Sequence, residues 1–217
     1  MKINSKYMAP SISLLVAGLV LASASQAATI PSSITEFTGT VTDDVFIAKS
    51  KGWSDPAFGD MGWTHSSDWG IIKAKKGQKV TIHAVAADVG VHPGATVWYR
   101  GKDDTAADNY VVDHFYPQNA NFTKFGATDE TSGTALGNIV MRYVTHGYDV
   151  DGNSKKLKRL KPVKDDVPGQ LELSFKAPYA GTYIFVVGGF NPDASVDTSL
   201  KYNIDVTATA TAATPAP

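Results

Sequence analysis

The 217-residue sequence contains no cysteine. That absence removes disulfides, thiol catalysis and the metal centres that need a thiolate, among them blue-copper sites and most structural zinc sites. An excess of one charge sign is also missing, because 20 Lys and Arg stand against 21 Asp and Glu, for a formal net charge of -1. Nucleic-acid binding therefore has no electrostatic support, and none is expected. Long apolar runs are scarce as well. The run from Ile12 to Leu21 is about half the length that a bilayer-spanning helix needs, and nothing later approaches it, so no membrane span is expected. Sustained 3.6-residue periodicity is absent too, which argues against helices.

What is present begins with an address. Lys2 and Lys6 precede the apolar run, and the small residues Ser25 and Ala27 then fit a signal-peptidase site. Residues 1–27 are expected to be a signal peptide and the mature chain to begin at Ala28, which places the protein in the periplasm, at the cell surface or outside the cell. Without a cysteine, lipoprotein anchoring has no attachment point. Residues 28–206 are ample for one domain, and the Ala/Thr/Pro-rich stretch 207–217 is expected to be a disordered tail.

The domain reads as all-β. Phe37 to Val41 and Val45 to Ala48 are β-prone runs around Asp43-Asp44, expected to form a hairpin or a bent strand. Trp69 to Lys73 and Lys79 to Ala87 flank the turn Lys75-Lys-Gly-Gln78; in the second run Val80, Ile82 and Ala84 share one face, and Thr81, His83 and Val85 the other. Val89 to Gly94 reads as a turn, Ala95 to Arg100 as a strand, and Gly101 to Asn109 as a polar loop. Tyr110 to Pro117 and Ile139 to Thr145 are further strands, separated by a long loop from Gln118 to Gly137 with Phe122 and Phe125 as apolar plugs. Leu171, Leu173 and Phe175 alternate with polar residues, and Thr182 to Val187 and Leu200 to Val206 complete the set. Eight to ten short strands with no helix predict an antiparallel β-sandwich or jelly roll.

The most distinctive stretch runs from Trp53 to Gly70 and holds Trp53, Trp63 and Trp69, three of the four tryptophans. Pro56, Gly59, Gly62 and Gly70 argue for extended backbone, on which Trp63 and His65, two apart, leave the same face. All five histidines lie between positions 65 and 146. His65, His92, His114 and His146 fall in or beside turns and strand ends, where loops of a sandwich converge; His83 is mid-strand and reads as structural. Neutral imidazoles with few other donors suit a soft or borderline ion such as copper. Only Met61 and Met141 follow residue 27, too few for a methionine-rich copper carrier.

Gly62-Trp63-Thr64-His65, on an exported, cysteine-free β chain with further histidines downstream, resembles the copper-repressible, surface-associated copper-binding proteins of methane-oxidising bacteria, the CorA/MopE type. In that family the tryptophan of the Trp-x-His motif is oxidised to kynurenine, whose aryl amine joins two histidines around a reduced copper ion. The resemblance implies that Trp63 is the modified residue, His65 the first imidazole and Cu(I) the cargo, in a protein of copper acquisition associated with the outer surface. No motif fixes the second histidine. His114 is preferred because Asp113-His114-Phe115-Tyr116 sets it among aromatics at a strand end; His92, beside Pro93, is the reserve and His146 the third choice.

Other chemistries find less support. No nucleophile elbow or His-Glu-x-x-His is present, and a histidine brace needs His rather than Ala28 at the mature start, so no enzyme is expected. Asp149-Val-Asp151-Gly-Asn153 has the alternate oxygens of a calcium loop but lacks its closing glutamate, and a turn is the preferred reading. The rival class is a secreted adhesion or carbohydrate-binding module in which Trp53, Trp63 and Trp69 stack on a ligand.

Overall fold

A computed structural model describes residues 28–30, 34–39, 45–50, 54–55, 60–61, 68–112, 121–152, 161–191 and 202–212. Within them the chain forms β1 (Ala28–Thr29), β2 (Ile34–Phe37), β3 (Val45–Ser50), β4 (Ser54–Asp55), β5 (Asp60–Met61), β6 (Asp68–Ala74), β7 (Lys79–Ala86) and β8 (His92–Arg100). There follow β9 (Val111–Val112), β10 (Phe122–Thr128), β11 (Ala135–Asp149), β12 (Pro162–Val163), β13 (Gln170–Lys176), β14 (Gly181–Phe190) and β15 (Tyr202–Thr211). No helix occurs among the described residues.

Two sheets pack as a sandwich. The longer runs β10-β11-β8-β14-β6-β2 with β12 added beside β11; the shorter runs β13-β7-β15-β3. Pairing is antiparallel throughout both sheets except at β2 on β6 and β12 on β11. Alternation dictates how the short sheet sits. Val80, Ile82, Ala84, Leu171, Leu173, Ile204, Val206 and Ala208 point inward and are buried, while Thr81, His83, Glu172 and Asp205 point outward. Opposite them, Ile72, Ala95, Val97, Tyr99, Tyr183, Phe185 and Val187 of the long sheet complete the sandwich core.

The long sheet is apolar on its other face as well. Trp69, Ile71, Trp98, Ile139, Met141, Ile184 and Val186 form a second buried cluster, capped by Ala28 of β1 and by Val111 and Val112 of β9. The unbroken run Thr182-Tyr-Ile-Phe-Val-Val187 is the sequence counterpart, since a strand covered on both faces has no reason to alternate. Gly70 also belongs to this arrangement: a Cβ there would collide with the Phe185 ring on the neighbouring strand.

Several expectations are corrected. The runs on either side of Asp43-Asp44 do not pair as a hairpin or form one bent strand, because β2 joins the long sheet and β3 the short one. The chain turns between sheets at Gly39, whose φ of 88° suits glycine and which bridges Thr209 of β15. His92, Pro93 and Gly94 open β8 rather than lying in a turn; Pro93 pairs only with β14, near the strand's start, where a missing N–H is tolerated. The 118–137 segment is not one long loop, since it contains β10, an edge strand, and the start of β11. Phe122 is buried as anticipated, whereas Phe125 projects from the irregular stretch of β10 and is exposed. The tail does not begin at Thr207: β15 continues to Thr211 in register with β7, burying Ala208. Residues 213–217 lie outside the described residues.

Candidate functional site

One end of the long sheet gathers four strand ends. Asp68, which opens β6, pairs with Val187; Val187 pairs with Ala95, and Ala95 with Gly147, so the start of β8 and the ends of β14 and β11 lie beside it. Trp63, His65 and His114 themselves lie outside the described residues. Their flanks do not. Trp69, four residues after His65, and Val112, two before His114, belong to the same buried cluster.

The three described histidines have distinct settings. His146 lies inside β11, which extends through it to Asp149 rather than ending at Thr145. Its Nε2 accepts the Lys161 backbone N–H at 3.1 Å. In the neutral ring the proton is then on Nδ1, which donates to the Tyr143 hydroxyl at 2.5 Å. Both nitrogens are engaged, so the third choice of copper ligand is disfavoured in this conformation. Burial pushes the Tyr143 hydroxyl pKa up, with a hydrogen bond from the His146 backbone opposing.

His92 is buried, and its Nδ1 lies 2.8 Å from the Asp149 carboxylate. An imidazole anchored by a carboxylate is a common setting for a metal ligand. Among the described residues, however, no group of three or more metal-ligating side chains surrounds it or any other point. His83 sits on the outer face of β7, across from Glu172 on one side and Thr207 on the other, in keeping with its structural reading.

The Asp149-x-Asp151 pattern resolves as a turn. Asp149 accepts the backbone N–H of Asp151 at 2.7 Å and that of Gly169 at 2.8 Å; Asp151 accepts those of Asp165 and Asp166 at 2.7 and 2.8 Å. Both carboxylates are buried and spent on backbone donors, which argues against calcium there. Burial alone would raise the Asp151 pKa, but these two N–H donors and the Lys164 charge together bring it below its ordinary value.

Trp69 and Trp98 stack with ring centroids 5.8 Å apart and are 3 % and 0 % exposed, so neither offers a face to a sugar. Sequence reasoning missed the buried ion pair of Arg100 with Asp104, because Asp103-Asp104 in a polar stretch reads as a solvated loop. The only available signal was an arginine closing an otherwise apolar strand.

The sequence profile of a family described as copper(I)-binding protein CorA-like matches residues 25–197. The chain belongs to that CorA-like family. Among solved structures, it is similar to CorA of Methylomicrobium album BG8, a surface-associated copper-binding protein important in copper acquisition, at 31 % identity and a TM-score of 0.71, covering 83 % of this chain and 98 % of that one. The secreted protein MopE of Methylococcus capsulatus, in which an oxidised tryptophan facilitates copper binding, shares the fold at 20 % identity and a TM-score of 0.56, covering 80 % of this chain and 86 % of that one. A search among curated proteins gave no match. As a CorA-like protein, the chain has the β-sandwich expected from its strand pattern.

Proposed function

We propose that this CorA-like chain is an exported, non-enzymatic copper-binding protein of the periplasm or cell surface that serves copper acquisition. The observation that carries the reading is family membership across residues 25–197, a span that includes Trp63, His65 and His114. The copper is cargo. It is held as Cu(I) by the imidazoles of His65 and His114 and by the amine of Trp63 after oxidation to kynurenine. An intact indole offers only an N–H donor and a ring face, whereas the opened ring carries an amine with a lone pair.

The environment of the described histidines supports the choice. His146 has both ring nitrogens engaged and His83 stands on the outer face of the short sheet, which leaves His92 as the described alternative. The shared cluster of Trp69 and Val112 supports it further. The intervening chain is short, with His65 four residues before Trp69 and His114 two residues after Val112.

The same proposal includes removal of residues 1–27, consistent with a family match that begins at residue 25. A carbohydrate-binding module is the weaker reading, because two of its aromatic candidates would have to be exposed and Trp69 is buried on Trp98. Peptide mass mapping and metal analysis of protein from copper-replete cells provide the test. The Trp63 peptide is expected to gain one oxygen and lose one carbon, with Trp53, Trp69 and Trp98 intact, and the protein to carry one copper per chain. An unmodified Trp63 in protein that holds copper leaves a simpler two-histidine site. An unmodified Trp63 without copper overturns the proposal.

A further inference from the structure

β13 closes one side of the short sheet, with β7 on one flank and, among the described residues, no strand on the other. It pairs with β7 in unbroken register, from Gln170 opposite Val85 to Lys176 opposite Lys79. At the two ends of this ladder the Ala86 N–H donates to the Gly169 carbonyl at 2.9 Å and the Ala177 N–H to the Gln78 carbonyl at 2.8 Å. Bonded pairs recur at every second residue of an antiparallel ladder. Leu171, Leu173 and Phe175 therefore spend their backbone groups on β7, and the N–H and C=O groups of Glu172, Ser174 and Lys176 face away from the sheet. No hydrogen bond among the described residues takes these groups up.

A row of open backbone groups is a template for another strand, and sheets blunt their edges with irregularity or charge. β10, at the rim of the long sheet, is blunted by two register irregularities. β13 is regular and carries charge instead. Glu172 and Lys176 are exposed, and half-buried Ser174 stands midway between them, its Oγ 2.8 Å from Thr81 Oγ1 on β7. Opposite charges placed symmetrically about one residue give this edge a preferred partner, namely itself.

With a second β13 laid antiparallel on the edge and Ser174 opposite Ser174, Glu172 of each copy faces Lys176 of the other. On the inner face Leu173 then meets Phe175, which is half-buried in the single chain. Sliding one copy by two residues sets each charge opposite an uncharged residue. Sliding it by four sets Glu172 against Glu172 or Lys176 against Lys176, and like charges directly opposite are destabilising. An odd slide turns the apolar residues to the wrong face. One register is favoured and its neighbours are disfavoured, which is how an edge discriminates among partners.

We propose that β13 is a self-recognition edge: two copies of this chain pair antiparallel about Ser174 and join their short sheets into one continuous sheet. The inference is independent of the copper reading. The contact is isologous, so each ion pair occurs twice and each substitution acts twice. One strand edge from each copy is a small interface by the measure of permanent complexes, and the dimer is accordingly reversible and concentration-dependent.

The test is sedimentation velocity of the exported protein at rising concentration, where the monomer is expected to shift toward twice its mass. Glu172→Lys and Lys176→Glu should each abolish the shift, because each turns both ion pairs into like-charge contacts. The double variant, with Glu172→Lys and Lys176→Glu together, should restore it. Thermal unfolding of each variant reports that it is folded. The absence of native cysteine supplies a second readout. Ser174→Cys should link two copies by a disulfide under mild oxidation, since the facing Cα atoms would stand about 5.5 Å apart. Glu172→Cys, whose counterpart is Lys176, should stay reduced under the same conditions.

A wild-type protein that stays monomeric, single charge reversals that dimerise as wild type does, or a folded double variant that remains monomeric overturns the proposal. Linking of Glu172→Cys as fast as Ser174→Cys overturns it too, because the register would then be wrong. Should a charge reversal fail to fold, the two cysteine variants decide the matter alone.

Discussion

The Tyr143 hydroxyl receives the Nδ1 proton of His146, three residues on along the same strand, across the irregularity in β11 between Tyr143 and Thr145. With Nε2 held by Lys161, the ring is a structural link between β11 and the chain leading into β12. Tyr143→Phe is expected to cost about 1 kcal/mol, the usual worth of one such hydrogen bond, and to leave copper stoichiometry unchanged. Urea unfolding monitored by tryptophan fluorescence, with metal analysis in parallel, measures both.

A second expectation concerns the remaining histidines. His65→Ala and His114→Ala should each weaken copper binding by more than about tenfold, whereas His146→Gln and His83→Gln should retain wild-type affinity. His92→Ala separates two roles. If Asp149 is its structural partner alone, the variant loses stability and not affinity. Loss of affinity in folded His92→Ala would make it, rather than His114, the second ligand.

Asp151 predicts an acid response. Its carboxyl pKa lies below the ordinary 3.8 in the folded protein, so the stabilisation it contributes is present above the unfolded-state pKa and is lost as pH falls through the folded value. Asp129, lowered chiefly by the Ser132 backbone N–H, acts in the same direction. Urea midpoints should therefore fall below about pH 4, and Asp151→Asn should be less stable at neutral pH with a shallower acid limb. An Asp151→Asn protein with an unchanged acid limb would assign the transition to other carboxylates.

The N-terminal strand gives a truncation test. Ala28 is fully buried in the cluster with Trp69 and Trp98, and deleting residues 28–33 removes that burial together with the β1–β9 ladder. The loss is expected to be about 2 kcal/mol and the midpoint of thermal unfolding to fall by about 5 °C.

Ile82→Ala, in the sandwich core and far in sequence from the proposed ligands, provides the contrast. A cavity there should cost about 3 kcal/mol. Copper binding by the variant that remains folded should be unaffected.

Much of the fold was legible where burial is one-sided. In β7 and β13 a single face meets the other sheet, so hydrophobic residues alternate and the strands are read directly from the sequence. Edges are harder. β10 lies at the rim of the long sheet, with Thr123 and Phe125 exposed and two register irregularities, and so carries the Thr/Gly/Lys composition of a loop. Thr207 to Thr211 hides a period of two inside low complexity, with Ala208 inward and Thr209 outward.

Of the proposed site, the Trp63-x-His65 motif can be read from sequence because its spacing is local. The buried Arg100–Asp104 ion pair cannot, because its carboxylate lies in a stretch with the composition of a solvated loop. His92 misled for a related reason: Pro93-Gly94 has turn composition, but its place at the start of β8 spares the sheet any need for the missing donor.

The pairing of Ala28 with Val112 also has a consequence for the order in which the molecule assembles. That contact is long in range and carries a loop-closure cost, yet the pairings that build the sheets span more chain still, Asp68 with Val187 in the long sheet and Val45 with Thr207 in the short one, whereas β10 with β11 is local. Pairing β1 with β9 therefore need not wait for either sheet, and the closure that comes last by sequence separation is that of the short sheet, whose inner strand β15 is the final strand of the described chain.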